Sequence, residues 1–261
     1  MLFRSAQEDP AICTGDPSVQ LVFQIAGGGL VLPGSQVLSE NGFQFLLVEG
    51  TCRTWMLTNA GSEIRTAQLT AHDAEQLARQ LRVAEWGSLQ GQYTRDLCDG
   101  PGVLFRFDRT RITLGSACGG GDNSAPVRSL EVAVRDGLAA SYAAGAPVDG
   151  AVRFVLVAEA PDVMWPSLVA SAAAPWPLAT APDELAISIR AAQDYLPGSS
   201  RSVTQPEADQ LRALRRNFAA RGGPALSGGF IPVTGAGGSR YELFVRDTIP
   251  LEDAQGLLHV D

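Results

Sequence analysis

The sequence predicts an α+β fold in which antiparallel sheets carry amphipathic helices on one face. Three observations predict it. Short runs rich in β-branched and aromatic residues recur between Gly, Pro and Asn turn signals, as in Val19–Ile25 and Phe43–Val48. Longer segments instead place apolar residues at helical spacing. Third, one eight-residue pattern occurs twice, Thr70-Ala-His-Asp-Ala-Glu-Gln-Leu77 and Thr204-Gln-Pro-Glu-Ala-Asp-Gln-Leu211. Each copy opens on a Thr with an acid three residues later, the signature of a helix capping box. Both copies precede a hairpin signal, so two related helix-plus-hairpin halves are expected. Chance similarity between two ordinary amphipathic helices competes with that reading.

Residues 1–18 read as an irregular N-terminal arm. Val19–Ile25 is a strand, and Gly27-Gly-Gly29 and Pro33-Gly34 punctuate a loop. Phe43–Val48 and Thr51–Leu57 flank Glu49-Gly50, a two-residue hairpin signal, and Glu63–Leu69 alternates as a third strand. The first helix follows, capped by Thr70, with Ala74, Leu77, Ala78 and Leu81 on one face and Trp86-Gly87 at its end. Val103–Phe107 and Arg111–Leu114 then form a hairpin around Asp108-Arg109-Thr110. Past Gly119–Ser124, a second helix carries Val127, Leu130, Val134, Leu138 and Tyr142, and Ala151–Ala158 is a strand. Five prolines between residues 159 and 182 mark the expected boundary. The larger α+β domain thus spans 19–158, a Pro/Ala-rich crossing 159–182, and a smaller α+β domain 183–261. Asp183–Leu196 fits a helix slightly better than a strand. Thr204 starts the second patterned helix, with Pro206 in its first turn, and Phe230–Thr234 with Arg240–Arg246 forms the last hairpin.

Composition excludes more than it assigns. The 261 residues are 45% hydrophobic and 18% charged, enough apolar content for a real core. A net charge of −8 disfavours nucleic acid and anionic membrane surfaces, both of which need clustered cations. The densest basic spot, Arg215-Arg216, reads as a solvated helix face. All 20 cations are arginine, so Schiff-base, phosphate-loop and kinase-type lysines are impossible. Only His72 and His259 are present, too few for a three-histidine zinc site. No apolar stretch reaches the ~18 residues of a membrane span. No cofactor fingerprint is found.

Cys13, Cys52, Cys98 and Cys118 make no C-x-x-C pair. Cys98 and Cys118 lie equally far from Asp108, so antiparallel hairpin arms would set them opposite each other; Cys13–Cys52 follows by elimination. Two disulfides imply an extracytoplasmic compartment, periplasmic or secreted, although residues 1–10 show no leader. Four reduced, buried thiols are the alternative. Asp96 and Asp99 flank Cys98; paired carboxylates can hydrolyse glycosides or hold calcium, and Trp86 and Tyr93 could supply a stacking face. An exposed acidic turn explains them as well. Gly119–Ser124 could present amides to an anion, or its loop to a protease as an inhibitor would. The expected function is a non-catalytic binding or structural protein with an unknown protein or glycan partner. A glycosidase-like, carboxylate-dependent hydrolase is the second reading.

Overall fold

The computed structural model describes residues 10–26, 44–58, 63–159, 167–188, 200–222 and 230–249. They form an α+β fold of two sheets with helices. The chain divides into two compact units, which meet in sequence at Pro147/Val148.

The first unit is built on an eight-stranded sheet. Its strands are β1 (Val19–Ala26), β2 (Gln44–Glu49), β3 (Arg53–Leu57), β4 (Arg65–Gln68), β5 (Gly91–Asp96), β6 (Gly102–Phe107), β7 (Thr110–Ala117) and β8 (Ala146–Pro147). Their spatial order is β5-β7-β6-β1-β2-β3-β4-β8. All neighbours are antiparallel except β5 and β7, which run parallel. Three helices cover one face: α1 (Ala71–Gln80), the single turn α2 (Val83–Trp86) and α3 (Ala125–Ala144). Period-two alternation explains which side is covered. Leu21, Phe23, Ile25, Leu46, Val48, Phe105, Ile112 and Leu114 meet Leu77, Leu81, Trp86, Leu130, Val134 and Leu138 in one core.

The predicted capping box at Thr70 is present. Thr70 Oγ1 accepts from the Asp73 N–H, and the Asp73 carboxylate accepts from the Thr70 N–H. The Glu49-Gly50 hairpin differs from expectation, since Gly50, Thr51 and Cys52 all lie in the turn and Cys52 takes a positive φ of 67°. Three-residue hairpins close on such a left-handed residue.

The second unit has strands β9 (Val152–Ala158), β10 (Ala174–Pro175), β11 (Ile187–Ser188), β12 (Arg201–Val203), β13 (Ile231–Thr234) and β14 (Arg240–Asp247). The order is β10-β13-β14-β9-β11, with β12 also paired to β9. Its described helices are α4 (Ser167–Ala172), α5 (Pro182–Leu185) and α6 (Glu207–Ala220). Phe154, Leu156, Tyr241 and Leu243 bury one face under Ala208, Leu211 and Phe218 of α6. Val155, Val157 and Phe244 bury the other with Val169 and Phe230.

Three expectations change here. The units divide at 147/148 rather than across 159–182, because β9 pairs with β14 along its whole length and belongs to the second sheet. Asp183–Leu196 is no continuous helix: α5 is one turn and β11 follows at Ile187, while residues 189–199 lie outside the described segments. Thr204 caps nothing with its side chain; α6 starts at Glu207 with Pro206 at its N-cap. The related halves do not extend to packing. A helix precedes a hairpin in both units, but the principal neighbours of α1 are α2 and α3, whereas those of α6 are β9 and β14.

Candidate functional site

Both expected disulfides are present, Cys13–Cys52 and Cys98–Cys118, and no cysteine is free. The geometric reason for the second pair is not the hairpin. Cys98 follows β5, and the parallel register of β5 on β7 places Asp96 beside Ala117, so the two chain ends leave the sheet together. β6 lies on the far side of β7 from β5.

This end of the sheet holds the acids singled out from sequence. Asp96 and Asp99 are both exposed. Asp96 Oδ1 accepts a 2.7 Å hydrogen bond from the Gly119 N–H, and Asp99 sits at a positive φ of 52° in the turn before β6. The Gly119–Ser124 loop is tied down at several points. Asn123 donates its N–H to Thr94 O at 3.0 Å, and its Oδ1 accepts from the Thr94 N–H at 2.5 Å. That exchange mimics a strand pair on the outer edge of β5 and covers what would be an open edge. Asp122 accepts from the N–H and hydroxyl of Ser124 at 2.8 and 2.6 Å and pairs with Arg128. Hydrogen bonds from Ser124, then the nearby Arg128 charge, hold the Asp122 carboxyl below its ordinary range. The start of α3 therefore already has its anion, supplied by the chain itself.

Trp86 is not a stacking surface. It is fully buried, and its Nε1 donates to Leu81 O at 2.9 Å. Trp55 is buried with Nε1 on Glu49 Oε1, and Trp176 donates to Thr180 O; Trp165 lies outside the described residues. Tyr93 is half-buried against the core, its hydroxyl donating to Leu89 O. His72 is exposed in the first turn of α1, 2.8 Å from Gln76 Nε2, and His259 is outside the described residues.

The face of the first sheet opposite α1, α2 and α3 carries a feature that sequence reading missed. An open groove of about 530 Å³ runs over β1, β6, β7 and β5. Pairing registers align Gln24, Leu104, Thr113 and Gln92 in one row across the four strands. Beside that row, Gly102 and Gly115 lie low between Ala26 and Thr94. A Cβ added at Gly115 would meet nothing within 4 Å, so this glycine keeps the floor open rather than relieving a clash. Among the described residues, no partner bonds the side-chain polar atoms of Gln24, Gln92 or Thr113. Among the described residues, no side chain that ionises near neutral pH lines the groove. The signal was available as polar residues alternating with buried ones, but only strand order assembles them.

A second carboxyl pair, also unforeseen, lies in the second unit. Glu242 on β14 and Glu159, just past β9, share the face of Val155 and Val157 as diagonal neighbours. Burial first, then the neighbouring Glu159 carboxyl, push the Glu242 carboxyl up to about 8. Arg215, expected on a solvated face, is instead buried. Arg212 Nε and Arg215 Nη2 donate to the two oxygens of Asp247 at 2.7 and 2.8 Å, and Arg212 also donates to Gly150 O. Helical spacing from Leu211 turns both arginines toward β14, where a buried acid makes that burial tolerable.

Among the described residues no group of three or more His, Cys, Asp or Glu is placed to hold a metal ion. None of their helices is long and apolar enough to cross a membrane. The chain matches no known protein family, no curated protein and no solved structure.

Proposed function

We propose that this chain is an extracytoplasmic, non-catalytic binding protein, and that the groove on the first sheet holds a neutral, hydroxyl-rich ligand, a short glycan. The observation that carries the reading is the row Gln24–Leu104–Thr113–Gln92, whose amides and hydroxyl have no bonding partner among the described residues. Glutamine amides donate and accept at once, which suits vicinal hydroxyls. The volume of about 530 Å³ falls in the range of small-molecule sites. Two disulfides support an oxidising compartment.

Neither carboxyl pair favours the hydrolase reading. Asp96 holds the Gly119 turn. Glu159 and Glu242 are diagonal neighbours on one sheet face, whereas glycosidase carboxyls flank a bound sugar from both sides of the scissile bond. The inhibitor reading needs a projecting loop, and Gly119–Ser124 is fastened to β5 and α3.

A glycan array followed by calorimetry tests the site. Wild type should bind at least one neutral oligosaccharide, and Gly115→Trp should abolish binding without lowering the melting temperature. Binding that survives Gly115→Trp would move the site elsewhere. Absence of any glycan binding would remove the ligand class.

A further inference from the structure

We infer that the Glu159–Glu242 pair makes the second unit pH-responsive: its sheet is held best below neutral pH and loosens as the pair gives up a proton to solvent. The geometry comes from the register. Tyr241 opposes Ala158 and Glu242 opposes Val157, so Arg240 opposes Glu159 and the two glutamates are diagonal neighbours on one face. Glu242 is flanked by Val157 on β9 and Pro232 on β13, neither able to donate a side-chain hydrogen bond. Burial and a second carboxyl on the same face both disfavour the charged form of Glu242.

The charged groups on this face, among the described residues, are few. β9 contributes Arg153 and Glu159, and β14 contributes Arg240, Glu242 and Arg246. Arg153 and Arg246 oppose each other at the far end, beyond Val155 and Phe244. β13, α4 and β11 bring no ionisable side chain. Among the described residues, Arg240 is thus the one cation beside the pair, opposite Glu159 rather than Glu242.

An ordinary glutamate in the unfolded chain loses its proton near 4.5, whereas Glu242 in the folded chain keeps one until about 8. Across that window the folded state binds more protons, so folding stability falls as pH rises. Below the window both states are protonated and the pair gives no slope. Above it the slope ends.

The experiment compares full-length wild type, Glu242→Gln and Glu159→Gln by urea unfolding between pH 5 and 9, with a carboxyl NMR titration of ¹³C-glutamate-labelled wild type. Relative to Glu242→Gln, the wild-type unfolding constant should rise with pH by at most about tenfold per unit, because one proton is linked. Glu159→Gln should reduce that slope and return Glu242 toward ordinary titration. Coincident pH profiles for wild type and Glu242→Gln would overturn the inference. Should either variant fail to fold, the wild-type titration decides alone. A glutamate resonance moving between pH 7 and 9 supports the device, and ordinary titration of every glutamate overturns it. Glycan binding in the first unit is a separate readout, so either proposal can fail without the other.

Discussion

Replacing Asp247 by Asn should be the most damaging single polar substitution in the second unit. Asp247 is 1% exposed, and its two oxygens accept from Arg212 and Arg215, which are themselves 5% and 6% exposed. The amide keeps the shape but removes the charge, and its NH₂ group faces a guanidinium donor. Each lost charge-assisted bond contributes about 1.5–3 kcal/mol, so the pair sums to about 3–6 kcal/mol. Removing one partner of a buried ion pair costs about 3–5 kcal/mol, which brackets the same value. Arg212 keeps Gly150 O and the exposed Asp209, so the lower half of the range is expected. Urea unfolding of the full chain reads the loss. A change under about 1 kcal/mol would place the triad with ordinary surface ion pairs and refute the reasoning. A companion variant sharpens the test. Replacing Arg212, Arg215 and Asp247 together by Leu or Met should cost far less than Asp247→Asn, because no charge is then stranded in the core.

Other outcomes follow from single features. Thr70→Ala should cost about 1 kcal/mol by thermal melting, whereas Thr204→Ala should cost almost nothing, since only Thr70 caps its helix. Thiol titration of the denatured, unreduced protein should find no free cysteine; four free thiols would remove the support for an oxidising compartment. The Cys13–Cys52 bridge closes 39 residues and Cys98–Cys118 closes 20, so their removal should cost about 4 and about 3 kcal/mol by loop-closure entropy. Gly115→Val should raise stability by up to about 1 kcal/mol while narrowing the groove, because glycine inside a strand is unfavourable and this one has open space above it.

Local chemistry made much of the fold legible. Thr70 and Asp73 announced α1 because capping is a contact between near neighbours in sequence, and Val127, Leu130, Val134 and Leu138 announced the buried stripe of α3. What failed depends on partners far along the chain. The strand at Val152–Ala158 was readable, but its membership in the second sheet rests on pairing with Tyr241–Asp247. The cysteine pairing came out right through the wrong neighbour, since nothing local says that β5 runs parallel to β7. The groove was invisible for the same reason. Gln24 and Gln92 are 68 positions apart and meet only because two other strands lie between them.

The repeated eight-residue pattern shows where such reading stops. Ala74 and Leu77 in α1 match Ala208 and Leu211 in α6, and all four are buried. The shared residues thus do the same thing in both helices. The next inward positions differ: Ala78 and Leu81 in the first helix correspond to Arg212 and Arg215 in the second, and these too are buried. In α1 they extend an apolar core that continues into α3. In α6 they reach Asp247 on β14 and fix the helix to its sheet by charge. Ala78 and Leu81 could face helix α3 because apolar surface packs without directional demands, whereas two buried guanidiniums require an acid at one particular strand position. A common opening turn therefore does not imply a common docking mode. The residues one turn further along decide what each helix lies against.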